Sequence, residues 1–105
     1  MFRDGATMAK RKSELLGWEK VERAAEILRT VAHPLRLRII ELLQATEMSV
    51  SEIQGVLGIS QSLTSQQLSL MKAKGILKSK KNGKMVYYAI GKPEVIQVIN
   101  CLKKC

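Results

Sequence analysis

Residues 49–75 read SVSEIQGVLGISQSLTSQQLSLMKAKG, and this segment contains the start and stop signals of two short helices. Ser49 and Glu52 have the spacing of a capping box, in which the hydroxyl and the carboxylate each satisfy a backbone N–H group at a helix start. Gly58 supplies a positive φ that ends the first helix. Ser60 can then cap a second helix. The spacing therefore predicts a helix-turn-helix.

The second helix, predicted over residues 61–74, has the pattern of a recognition helix. Leu68 and Met71, with Thr64, make its buried stripe. Its outward face near the N-terminus is polar and consists of Gln61, Ser62, Ser65 and Gln66. Glutamine can pair bidentately with adenine, and serine can hydrogen-bond to several bases. We expect these four side chains to read base edges, while the helix start at Ser60 binds a backbone phosphate.

A β-hairpin follows this helix. The hydrophobic period changes to alternation in residues 76–81 and 85–90, which flank Asn82-Gly83, a strong hairpin signal. We expect a wing whose lysines, together with the lysine near the end of the recognition helix, contact phosphates without reading sequence. These lysines are Lys72, Lys80, Lys81 and Lys84.

The charge distribution indicates the partner. The 105 residues contain 18 Lys and Arg against 9 Asp and Glu, a net charge of +9, and residues 53–93 contain seven lysines and no carboxylate. Taken singly, these lysines are ordinary solvated residues. On a helix-turn-helix with a wing they favour double-stranded DNA. No nucleophile with a base, motif-like carboxylate pair or phosphate-binding glycine loop indicates an enzyme.

The rest of the chain predicts three more helices. Residues 1–13 have the composition of a flexible basic arm, and 14–105 form the DNA-binding and dimerisation domain. The first helix is expected over 14–32, and Pro34 begins the second, with His33 in a structural role at its entrance. A last helix after Pro93 is too apolar to lie in water. We expect it to pack with the first helix, partly across a dimer axis.

The fold class is therefore mainly α with a small β-hairpin wing, in the order α-α-α-α-β-β-α. No apolar run approaches the roughly 18 residues of a membrane span, and the first residues lack the apolar core of a signal peptide. Cysteine usage also gives no disulfide framework. We expect a cytoplasmic protein with no membrane partner and no required cofactor.

Several segments together resemble the ArsR/SmtB winged-helix repressors. They are AHPLRLRIIELL from Ala32, LGISQS from Leu57, LSLM from Leu68 with Gly75-Ile76-Leu77, and NGK from Asn82 before Val86-Tyr87-Tyr88. The resemblance covers roughly residues 21–102. It implies a homodimer joined through the first and last helices, a twofold operator read by the helix from Gln61, and release by an inducer.

The resemblance leaves the base preference and the inducer open. Family members often carry arginine or histidine at Gln66 and Gln67 and a small polar residue at Leu63, so Leu63 either contacts a thymine methyl or is partly buried. The cysteines that bind arsenite or soft metals are replaced by Ser49 and Ser51. Hydroxyl groups are poor ligands for soft ions.

The family's zinc-type ligands at the last helix are also replaced, by Lys92, Glu94 and Cys105, and a lysine ammonium repels a cation. Two thiols remain as a candidate sensor. Cys101 and Cys105 at i and i+4 on a helix lie too far apart for a disulfide, but two thiolates at this spacing can share a soft metal or a metalloid, or react with an oxidant. Alternatively, Cys101 fills the dimer interface and Cys105 is an incidental thiol.

Two alternatives remain for the whole chain. One is a winged-helix regulator with no small-molecule inducer, controlled by its abundance or by a protein partner. The other is a winged-helix module whose basic face binds RNA or a protein.

Overall fold

Local start and stop signals determine where the helices begin and end. The structure is a computed structural model and describes residues 14–105. The predicted basic arm, residues 1–13, lies outside the described residues. Residues 14–105 contain the five helices and three strands described below. In chain order they are α1 (Trp18–Val31), α2 (Pro34–Ala45), β1 (Met48–Ser49), α3 (Val50–Leu57), α4 (Gln61–Ala73), β2 (Leu77–Asn82), β3 (Met85–Ile90) and α5 (Glu94–Lys103).

Helix α1 begins four residues later than the sequence predicts. Gly17 has extended backbone angles, φ −61° and ψ 148°, and its carbonyl accepts the N–H groups of Lys20 and Val21 at 3.0 and 3.2 Å. Gly17 is therefore the N-cap. Leu15, which the periodicity assigned to the helix, lies before it with an exposed side chain.

The predicted caps of α2 and α3 are confirmed. His33 Nδ1 accepts the N–H of Leu35 at 3.1 Å, which gives the only histidine of the chain a structural role at the helix entrance. Ser49 Oγ accepts the N–H of Glu52 at 3.1 Å, and Glu52 Oε1 accepts the N–H of Ser49 at 2.9 Å. Both halves of the capping box are therefore formed.

The turn between α3 and α4 also forms as predicted. Gly58 takes the left-handed conformation with φ 67°, and its N–H donates to the carbonyl of Gln54 at 2.8 Å. Helix α4 ends at Ala73, and Gly75 follows with φ 76°. Glycine adopts these angles without the steric cost of a Cβ atom. The two helices therefore form the predicted helix-turn-helix.

The sheet has three strands in the order β1-β3-β2, where the sequence predicts two. Strand β1 is only two residues long and pairs with Tyr87 and Tyr88 of β3, too short to show an alternating pattern. The hairpin turn also lies one residue later than the predicted Asn82-Gly83 turn. Asn82 pairs with Met85, so Gly83 and Lys84 form the turn, and the positive φ of 65° falls on Gly83.

The core lies between α2, α3, α4, α5 and the sheet. Its fully buried members are Ile39, Ile40, Ile53, Leu68, Met71, Ile76 and Val95. Within one chain α5 packs against α2, and Gln44 Nε2 donates to Asn100 Oδ1 across this contact at 2.8 Å. Within the chain α1 and α5 face each other across a cleft, so the extensive packing of the last helix is on α2 rather than on the first helix. Packing across a dimer axis stays a prediction.

Candidate nucleic-acid interface

The four predicted base-reading residues lie on one half of α4 but not on one line. Ser62 and Gln66 are one turn apart and exposed, directly opposite the buried stripe of Thr64, Leu68 and Met71. Gln61 is exposed toward one side of this line, and Ser65 beside it is half-buried. Ser62 and Gln66 therefore point most directly away from the buried side of α4, and we call them the outward line.

Ser69 extends this line and was missed by the sequence reasoning. It is exposed and lies seven residues after Ser62 and three after Gln66, which places it on the same face. Heptad spacing on the helix could have identified it. The sequence prediction covers only the first turns of the helix, because recognition helices contact base edges mainly with their N-terminal residues.

Ser60 is the N-cap residue of α4. Its Oγ accepts the N–H of Leu63 at 3.1 Å, and its carbonyl accepts the N–H of Thr64 at 3.0 Å. Thr64 is fully buried, and its hydroxyl group donates a hydrogen bond to the same Ser60 carbonyl at 2.8 Å. The hydroxyl hydrogen of Ser60 and the first N–H groups of the helix are then available to an anion.

Arg36 fixes the position of α4 relative to α1 and α2. Its Nε donates to Gln67 Oε1 at 2.7 Å, and one terminal nitrogen donates to the carbonyl of Thr30 at 3.0 Å. Arg36 is half-buried and joins three helices, so it is not simply a solvated residue on the surface of α2. A contact between residues 31 positions apart has no periodic signal. Gln67 consequently faces α2 and is a support of the recognition helix.

The wing lysines are all exposed, but the strands separate them. Lys80 pairs with Tyr87 in the register, and its Nζ lies 3.6 Å from a carboxylate oxygen of Glu47. Lys81 is the next residue along β2, so it points to the opposite face. Lys84 lies in the hairpin turn. Of these three lysines, Lys81 and Lys84 form no ion pair with a carboxylate of the described chain.

Lys72 lies apart from the other predicted phosphate contacts. It is exposed in the last turn of α4, about 16 Å along the helix axis from Gln61 at 1.5 Å per residue. Lys72 is therefore too far along α4 to contact the same group as Ser60.

The residues that replace the family's metal ligands lie in different surroundings. Ser49 is buried and caps α3, Ser51 is exposed in the first turn of that helix, and Lys92 and Glu94 line the cleft between α1 and α5. In residues 14–105 no group of three or more His, Cys, Asp or Glu side chains could hold a metal ion.

The two thiols do not form the helical pair that the sequence predicts. Cys101 lies in α5, but the helix ends at Lys103, so Cys105 lies beyond it. Both are free and exposed, and Cys105 Sγ lies 3.5 Å from the carbonyl oxygen of Cys101. Neither the sensor nor its alternative in the dimer interface is tested by these contacts.

Comparison with known proteins agrees with this geometry. Residues 33–79 match the family described as "Bacterial regulatory protein, arsR family". The transcriptional repressor PagR of Bacillus anthracis is 40% identical over 83 residues, which cover 78% of this chain and 83% of PagR. This chain belongs to the ArsR family.

Two further proteins support the assignment. The biofilm growth-associated repressor of Xylella fastidiosa strain Temecula1 is 32% identical over 84 residues, covering 80% of this chain and 74% of that protein. The structure of HlyU from Vibrio cholerae superimposes with a TM-score of 0.76 at 30% identity, covering 81% of this chain and 92% of HlyU. The predicted winged helix and the DNA-binding regulatory class are thereby confirmed, and the chain is a regulator rather than an enzyme. No helix within residues 14–105 has the length and apolar character needed to cross a bilayer.

Proposed function

We propose that this ArsR-family regulator is a homodimer that represses transcription by binding an operator with twofold symmetry. The observation that carries the proposal is the outward line of Ser62 and Gln66 on α4, beside a Ser60-capped N-terminus and a lysine-rich wing. A helix N-terminus and free lysines supply contacts to phosphate, and short polar side chains supply contacts to bases. Two such helices related by a twofold axis match two half-sites one turn of DNA apart.

The exposed apolar side chains of the terminal helices support dimerisation. Trp18 and Leu28 of α1 are 74% and 53% exposed in the single chain, and Leu102 of α5 is 51% exposed. An apolar surface of this kind on a small domain is stabilised by a second copy.

Fluorescence anisotropy with an operator duplex and a random duplex of equal length tests the base-reading assignment. Gln66→Ala and Gln61→Ala are each expected to weaken operator binding by about 1–3 kcal/mol and leave binding to the random duplex unchanged. Lys81→Ala is the contrasting variant. It should weaken both complexes and reduce the salt slope by about one unit, because a phosphate contact is lost from each.

Equal losses on the two duplexes for Gln61→Ala and Gln66→Ala would show that these side chains do not read bases. The same assay with a duplex RNA competitor at fixed salt tests the RNA-binding alternative. Preferential displacement by RNA would contradict the proposed DNA operator.

A further inference from the structure

Leu63 is an exposed apolar side chain in the first turn of the recognition helix α4. It is 36% exposed in the single chain, and it lies three residues after the N-cap Ser60. The sequence leaves two roles open for this leucine, contact with a thymine methyl group or partial burial. Its surroundings in the fold separate these two roles.

Leu63 does not belong to the apolar core. The buried stripe of α4 consists of Thr64, Leu68 and Met71. Within residues 14–105, the half-buried apolar residues that pack against the core come from α1, α2, α3 and the sheet, and Leu63 is not among them. Packing against the core therefore does not explain a leucine at this position.

The N-terminal cap and one tertiary hydrogen bond fix the turn that carries Leu63. The N–H of Leu63 donates to Ser60 Oγ at 3.1 Å, and the N–H of Thr64 donates to the Ser60 carbonyl at 3.0 Å. The hydrogen bond from Arg36 to Gln67 then holds the next turn of α4 against α2 at 2.7 Å. Leu63 is thus presented from a fixed turn, in the part of a recognition helix that contacts base edges.

Leu63 and Gln66 are neighbours on the surface of α4. Residues three positions apart on a helix have Cβ atoms about 5–6 Å apart. They differ by roughly 4.5 Å along the helix axis, which is close to the spacing of about 3.4 Å between base pairs. Gln67, four residues after Leu63, faces α2. Leu63 therefore lies beside the outward line, on its α2 side, within reach of the base pairs that Gln66 can contact.

The chemistry of the base edges selects what a leucine can contact. In the major groove every base presents hydrogen-bond donors or acceptors, and thymine alone adds an apolar group, its C5 methyl. A leucine cannot pair with the donors and acceptors, and a polar group that it covers loses water without gaining a replacement hydrogen bond. Leu63 therefore favours thymine over cytosine, which presents an amino donor and no methyl group.

We infer that Leu63 determines sequence preference by contacting the C5 methyl group of a thymine within one base pair of the adenine that Gln66 reads. The inference rests on the proposed operator binding, because it names one base that α4 recognises there. In a dimer each α4 helix makes this contact once. Each half-site of the operator therefore contains one thymine whose methyl group contributes to affinity.

A deoxyuridine scan tests this contact, because deoxyuridine differs from thymidine only in lacking the C5 methyl group. The operator is selected from a randomised duplex pool with the full chain, and fluorescence anisotropy gives the Kd of each substituted duplex. Deoxyuridine at the contacted thymine should weaken wild-type binding about fourfold for one half-site and about 15-fold for both. At the same position, 5-methylcytosine should bind more tightly than cytosine by a similar factor.

Leu63→Ala should bind the thymine and deoxyuridine duplexes equally, because its side chain no longer reaches the methyl group. Leu70→Ala is the matched control and should keep the wild-type ratio of the two Kd values. Leu70 is 38% exposed on the same side of α4, but it lies about 10 Å farther from the N-terminus. Gln66→Ala should also keep this ratio while losing its response to 7-deazaadenine, which lacks the N7 acceptor. Circular dichroism verifies that all three variants are folded.

Equal deoxyuridine sensitivity of Leu63→Ala and the wild type would overturn the inference, as would an operator in which no deoxyuridine changes the wild-type Kd. Loss of the sensitivity in Leu70→Ala as well would overturn the assignment to Leu63. A sensitive thymine more than one base pair from the adenine read by Gln66 would overturn the position of the contact. A selection that yields no preferred sequence would instead contradict the proposed function itself.

Discussion

Arg36 joins three helices through one guanidinium group. It belongs to α2, donates to Gln67 of α4 at 2.7 Å, and donates to the last turn of α1 at the carbonyl of Thr30 at 3.0 Å. A lysine ammonium cannot reproduce this planar arrangement of donors. The charge at this position is therefore less important than its geometry.

Arg36→Lys is expected to lower the free energy of unfolding by about 1.5–3 kcal/mol, the range for hydrogen bonds to a charged group, and to weaken operator binding. Arg38→Lys is the control, because Arg38 is exposed and pairs only with Glu41 of its own helix, a contact worth about 0–1 kcal/mol. Urea unfolding and anisotropy measure the two effects. Identical midpoints for both variants would rule out the bridging role.

Glu26 gives the protein an acid-dependent contact. Hydrogen bonds from Lys74 and Arg29 lower the pKa of its carboxyl from 4.5 to about 2. A group whose pKa is lower in the folded state stabilises the fold above its unfolded pKa and loses this contribution as the pH falls. The contribution of Glu26 is therefore complete above about pH 4.5 and disappears toward pH 2.

Glu26→Gln should consequently unfold more easily than the wild type at pH 6, and the difference should shrink as the pH falls below 4.5. The reason is that the protonated carboxyl of the wild type then resembles the amide. Glu22→Gln on the same helix controls for the loss of one charge. Thermal unfolding across this range measures the difference. A constant difference at every pH would disprove the assignment to the Glu26 ion pairs.

At the level of elements, the glycines of the helix-turn-helix separate two effects. Gly58 has φ 67°, whereas Gly55 lies inside α3, and a Cβ atom at either position would meet nothing within 4 Å. An added Cβ atom therefore fits without a clash at both positions. Only the backbone conformation differs between them.

Gly58→Ala is expected to destabilise the protein by about 1–2 kcal/mol, the cost of a left-handed conformation for a residue with a Cβ atom. Gly55→Ala is expected to stabilise it by about 0.5–1 kcal/mol, because alanine loses less backbone entropy in a helix. Urea unfolding of the two variants gives opposite signs if the turn is governed by φ. Two destabilised variants would indicate that packing governs both positions.

The elements that the sequence predicts correctly are those with local signals. The capping residues of α3 and α4 and the glycines after them act within a few positions, so their pattern is readable in the chain. Strand β1 was missed because its two residues are defined only by pairing with Tyr87 and Tyr88. The hairpin turn was predicted one residue early, at Asn82-Gly83, because Asn82 stays in the ladder.

In the candidate site, too, features with local sequence signals were predictable and contacts between distant residues were not. The exposed Ser62 and Gln66 were predictable from their spacing relative to the buried stripe. The contacts of Arg36 with Gln67 and of Lys80 with Glu47 could not be predicted from the sequence. Each joins residues about 31 or more positions apart in the chain, which meet only in the packed fold.

At the level of the whole molecule, α1 has too little contact with the rest of its own chain to be explained by the monomer. Only Thr30 and Val31, at its end, are buried, while Trp18 at its start is 74% exposed. A helix usually owes its stability to packing of its apolar face. In the proposed dimer, the second copy supplies the packing surface that α1 lacks in the single chain.

Trp18→Ser tests this arrangement, because an exposed side chain contributes little to the fold of a single chain. Burial of a large apolar side chain is worth about 1.5–3 kcal/mol, so the dimer dissociation constant should rise by about ten- to a hundredfold. Operator binding should become more dependent on protein concentration, because two half-sites then recruit separate chains.

Val56→Ser is the matched control for this test, since Val56 is 60% exposed but lies on α3, away from both terminal helices. Its dimer dissociation constant, measured by sedimentation equilibrium, should equal that of the wild type. If Trp18→Ser and Val56→Ser dissociate equally, the dimer is not formed through α1. A wild-type chain that is monomeric at the concentration where it binds its operator would contradict the twofold arrangement itself, because a single α4 helix can occupy only one half-site at a time.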